Sequence, residues 1–64
     1  MTHPAVAVAL EWWRCSGPRT RERLGSLIEH FGDVYGVPRE QRAALLEEAW
    51  RRIPSGQKAA RSPS

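Results

Sequence analysis

Apolar residues return at three- and four-residue spacing in three stretches of the chain, the period of amphipathic helices. The spacing predicts one helix from Pro4 to Cys15, a second from Pro18 or Thr20 to about Phe31, and a third from about Pro38 to Arg52. The second carries a clean stripe of Thr20, Leu24, Leu27, Ile28 and Phe31, with Glu22, Ser26 and Glu29 opposite. The third carries Leu45, Leu46, Ala49, Trp50 and Ile53. Two matching stripes joined by a short connection are expected to pack as neighbours. Leu46, Trp50 and Ile53 should meet Leu24, Ile28 and Phe31. Gly25 interrupts the second helix at a cost of about 1 kcal/mol relative to Ala, which a close approach of the third helix would explain.

The first helix is different. Ala5, Val8, Trp12 and Cys15 fall on one side, and Val6, Ala9, Leu10 and Trp13 on the adjoining one. Only Glu11, Arg14 and the small Ala7 lie opposite, so the apolar arc covers more than half the circumference. One helical hairpin cannot cover so wide an arc. Either this helix is central, or it meets a second chain.

The punctuation fits three helices. Thr2 is expected to cap the first, with Pro4 in its first turn and Gly17-Pro18 ending it. Gly36 can take the left-handed conformation that closes the second helix, and Pro38 can open the third. Asp33 could cap a short extra turn from Val34 to Gly36. The third helix should end before Pro54. The fold class is therefore all-α, a small three-helix bundle with one possible further turn. Residues 1–55 form the helical domain, and 56–64 form a disordered basic tail containing Lys58 and Arg61.

Composition narrows the function classes. At 64 residues the chain is at most one domain, and marginal as such. The single cysteine excludes an internal disulfide. His3, Cys15 and His30 lie on separate segments with neither zinc-ligand spacing nor an orienting third group, so no metal, no cofactor and no catalysis are expected. Cys15 is read as a small core residue, and His30 as a helix-surface one. The longest apolar run, Ala5 to Leu10, is far below the roughly 20 residues of a membrane span. A cytoplasmic protein without a membrane partner is the expectation. Ten basic residues, nine of them arginine, stand against seven acidic ones, a net charge of +3. That balance permits DNA or an acidic protein as partner.

Three groups of residues are candidates for binding. Gly32, Gly36 and Val37, flanked by Phe31 and Tyr35, sit at spacings that resemble the DNA-binding helix-turn-helix corner. The resemblance implies that the third helix reads a major groove through its N-terminal side chains. The reading residues would be Arg39, Glu40 and Arg42, with Ala43 beside them. The pattern departs at Arg42, where an apolar residue belongs. Arg19, Arg21 and Arg23 crowd the start of the second helix, where positive charge opposes the helix dipole, and an external phosphate would make sense of them. Val6, Val8, Leu10, Trp12 and Trp13 are the expected interface through which the chain pairs with itself. The leading expectation is a small regulatory protein that binds DNA as a homodimer. The alternative is a protein–protein module, an adaptor or small inhibitor, docking through its Trp-bearing first helix.

Overall fold

The computed structural model describes residues 2–15 and 17–57. Among them three helices follow one another: α1 (Pro4–Cys15), α2 (Arg21–Val34) and α3 (Arg39–Arg52), with a single 3-10 turn at Ser55–Gln57. No strand occurs among the described residues. The tail expected over 56–64 lies outside the described residues from position 58 onward.

Helix α1 gives one side to the core. Ala5, Val6, Ala9, Leu10 and Trp13 are its buried residues, and its core side meets both other helices. Trp13 is completely buried. Its indole Nε1 donates to the Thr20 carbonyl at 3.0 Å, and its ring stands edge-on to Trp50 at 6.2 Å. Burying about 150–250 Å² of one tryptophan is worth about 4–6 kcal/mol. A chain of this size has only about 3–10 kcal/mol of net stability. Trp13 is thus the keystone of the bundle, around which Leu24, Ile28, Ala49 and Ile53 close the core.

Helix starts and stops follow local chemistry, with two differences from expectation. His3, not Thr2, caps α1: its Nδ1 accepts from the Ala5 amide at 3.0 Å, while its carbonyl accepts from Val6 and Ala7. Thr20 caps α2, its hydroxyl accepting from the Arg23 amide at 3.2 Å. Helix α2 runs on to Val34, so Asp33 lies inside it and there is no separate extra turn. The helix closes with a Schellman motif. The Val37 amide donates to the Gly32 carbonyl at 2.7 Å and the Gly36 amide to the Asp33 carbonyl at 3.3 Å. Gly36 sits at φ 71°, the left-handed region that this motif requires. Pro38 then stands at the N-cap of α3 and supplies a carbonyl to Gln41.

Helix α3 meets α2 from Arg42 to Trp50. Arg42 bonds to Glu29 and Asp33 near the corner. A Cβ at Gly25 would stand 3.6 Å from Leu46. Arg21 pairs with Glu47 and lies over Trp50. Arg21 is about 20 Å up α2 from Gly36 and Glu47 about 15 Å along α3. The corner therefore keeps α2 and α3 in side-chain contact from Arg42 to Glu47. The small Ala49, fully buried, lets α3 come close to the core. Ile53 joins Leu24 and Ile28 as expected, and Leu46 and Trp50 pack against them half-buried. Phe31 packs half-buried against the same cluster, and its ring partners are Trp12 at 6.1 Å and His30 at 4.8 Å.

Candidate functional site

The candidate binding residues separate into three places, which the fold does not bring together. Arg39, Glu40 and Arg42 belong to the corner end of the bundle. Arg19, Arg21 and Arg23 belong to the other end, about 20 Å away at 1.5 Å per residue of α2. The apolar residues of α1 divide between core and surface.

At the corner, Arg42 points inward and is 8% exposed. Its Nε donates to the Val37 carbonyl at 2.9 Å, one terminal nitrogen to Glu29 Oε1 at 3.0 Å, and the other to Asp33 Oδ1 at 2.9 Å. The chain makes room for it at Gly32, where a Cβ would lie 2.7 Å from Arg42 Nε. The bond to Asp33 holds the guanidinium above its ordinary pKa; burial opposes that shift, and the bond to Glu29 adds to it. Arg42 thus fills the apolar slot of the helix-turn-helix pattern with its stem and locks α2 to α3 with its head. It is a structural pin and is not presented to a base edge. Arg39 and Glu40 remain exposed at the start of α3.

The arginines at the start of α2 have partners within the chain. Arg23 donates to the Trp13 carbonyl at 3.3 Å, and Arg19 reaches the Arg14 carbonyl at 3.5 Å. Those carbonyls belong to the last turn of α1, where a helix leaves acceptors unsatisfied and carries partial negative charge. Arg19 also lies over the Trp13 ring at 5.7 Å. Arg19 and Arg23 therefore complement the dipole of α1, whose end abuts α2, while Arg21 pairs with Glu47 of α3. An external anion is not needed to account for them.

On α1, Val6, Leu10 and Trp13 are sealed in the chain's own core and cannot form an interface. Trp12 turns outward and is 56% exposed. Val8 is half-buried beside it on the same edge of the helix. Across from that edge, α2 presents Leu27, Phe31 and Val34 at helical spacing. Leu27 and Phe31 are half-buried, and Val34 is 63% exposed. Together with Tyr35, half-exposed at the corner, these side chains form an apolar ledge along the α1–α2 side.

No family model matches the chain, and comparison with curated proteins and with solved structures returned no match.

Two further residues lie where chemistry could have been sought. Cys15, expected in the core, is exposed at the end of α1. His30 is exposed and rests edge-on against Phe31. Among the described residues no three His, Cys, Asp or Glu side chains gather in a metal-binding arrangement. No helix there is long and apolar enough to cross a membrane.

Proposed function

We propose that this chain is a binding module without chemistry of its own, which docks on a protein through the outer edge of α1 and the adjoining edge of α2. The observation that carries this reading is Trp12. It leans on Phe31 yet leaves more than half its surface in water, while its neighbour Trp13 is completely buried. Aromatic side chains held rigidly at a surface are the typical anchors of protein interfaces. Phe31 fixes the Trp12 ring, so little side-chain freedom is lost on contact.

Binding to DNA is the second reading. The exposed Arg39 and Glu40 at the start of α3 favour it, but Arg42 and all three of Arg19, Arg21 and Arg23 are engaged within the chain. One experiment separates the two. The tagged full chain captures its partner from cells that make it, as wild type, as Trp12→Ser and as Arg39→Ala, with and without nuclease. Docking through the ledge predicts capture of a protein that survives nuclease and moderate salt and is lost in Trp12→Ser alone. Phosphate contacts predict loss with nuclease, a steep fall with salt and sensitivity at Arg39.

A further inference from the structure

We infer that the partner of this ledge is a second copy of the chain, joined through antiparallel α1 helices about a two-fold axis. The inference rests on the docking reading above and names its occupant. Once the core has taken Ala5, Val6, Ala9, Leu10 and Trp13, the outward arc of α1 consists of Pro4, Ala7, Val8, Glu11, Trp12, Arg14 and Cys15. Only two of these are charged. The outward faces of the other helices are far more polar, with Glu22, Ser26, Glu29 and Asp33 on α2 and Glu40, Gln41 and Glu47 on α3. Helix α1 is the element whose outer side still resembles a half-covered one.

Its two charges identify what covers it. Glu11 and Arg14 are opposite in sign, one turn apart and exposed, and neither side chain has an ion-pair partner among the described residues. A partner bearing one sign of charge would satisfy one of them and repel the other. A second α1 running the opposite way satisfies both. A two-fold axis between the levels of Trp12 and Trp13 sets each Glu11 level with the other copy's Arg14. It also brings the two Trp12 rings within about 1.5 Å of the same height, on the side where Phe31 supports them. At this register the two α1 helices overlap only from Leu10 to Cys15, about 9 Å at the usual helix separation of about 8–10 Å, and each Val8 reaches the level of the other copy's Gly17. The contact is therefore smaller than the roughly 1,200 Å² of a standard interface, and the dimer is weak and concentration-dependent.

Charge reversal tests this directly. Sedimentation equilibrium is run on the full chain up to about 1 mM, with circular dichroism confirming that each variant is folded. Wild type should dimerise in this range. Glu11→Arg and Arg14→Glu should each weaken self-association about ten-fold, because a two-fold contact reads each substitution twice. An equimolar mixture of the two variants, or the double variant alone, should recover the wild-type association. A wild-type monomer across the whole range overturns the inference, as does a mixture that associates no better than its components. If Trp12→Ser still abolishes capture of a different protein in that case, the docking reading stands and only its occupant was wrong. If Trp12→Ser changes neither capture nor self-association, the docking reading itself fails.

Discussion

The two connections of this bundle use the same two parts and reach different ends. Each has a glycine at positive φ, Gly17 at 89° and Gly36 at 71°, and each has an arginine folded back over a glycine. At the first, Arg23 lies over Gly17 itself and reaches a helix-end carbonyl beside water. At the second, Arg42 lies over Gly32, inside α2, and reaches two carboxylates and two carbonyls from a buried position. The first connection is an electrostatic cap between the end of one helix and the start of the next. The second is a lock across two helices. What separates them is where the glycine stands. A glycine in the turn lets the backbone bend, whereas one in the helix opens a slot through which a long side chain can pass.

That contrast breaks most visibly at Gly32. Gly32→Ala places a methyl where Arg42 passes, and should destabilise by about 1–3 kcal/mol despite the better helix propensity of alanine. In an Arg42→Ala background the slot is empty, so the same substitution should become neutral or favourable. Reversible urea unfolding of the four chains gives the coupling. Strict additivity would mean that the slot and the arginine are unrelated.

A smaller loss is expected at the first connection. Gly17→Ala forces a left-handed alanine at a cost of about 1–2 kcal/mol. Arg23 stands in the way but ends at the surface and can swing clear, so an Arg23→Ala background should leave most of that cost in place. A large coupling there would make the two connections alike. Arg23→Ala by itself should cost about 0.3–1 kcal/mol and lose part of that effect as salt screens the helix end. The least effect, and of opposite sign, belongs to Gly25, where a methyl meets Leu46 at an ordinary 3.6 Å. Gly25→Ala should stabilise by about 0.5–1 kcal/mol, measured as a rise in melting temperature. A fall would show that α2 and α3 approach more closely there.

These glycines also mark what could be read from the sequence. The helical period placed all three helices, because alternation of stripes needs only local spacing. Gly36 and Pro38 placed the corner, because each backbone requirement is met by few residue types. The end of α2 was set too early, because Asp33 was read as a cap when its side chain belongs to Arg42. The cap of α1 was misassigned because a histidine nitrogen can take the place of the usual hydroxyl or carboxylate. The wide arc of α1 showed that more than one surface was apolar, but the period does not say which residues the core takes. Trp12 and Trp13 are adjacent, and only the positions of both neighbouring helices decide between them. The arginines at the start of α2 were weighed against that helix's dipole, whereas Arg19 and Arg23 serve the end of the preceding helix and Arg21 pairs with the following one. For Arg42 a clue existed: Glu29 and Asp33 lie one turn apart on α2, beside a glycine with no turn to justify it.

The three tryptophans stand in three different surroundings, Trp13 enclosed, Trp50 half-buried against it, and Trp12 open to water beside Phe31. The protein therefore carries its own optical probes. A soluble quencher reaches Trp12 first and leaves the emission of Trp13 intact. A blue shift confined to the quenchable fraction reports the outer face of α1 being covered, and a red shift of the protected fraction reports the core opening. Covering of the surface and loss of the fold, which helical signal alone would confuse in so small a chain, are thereby told apart without a label.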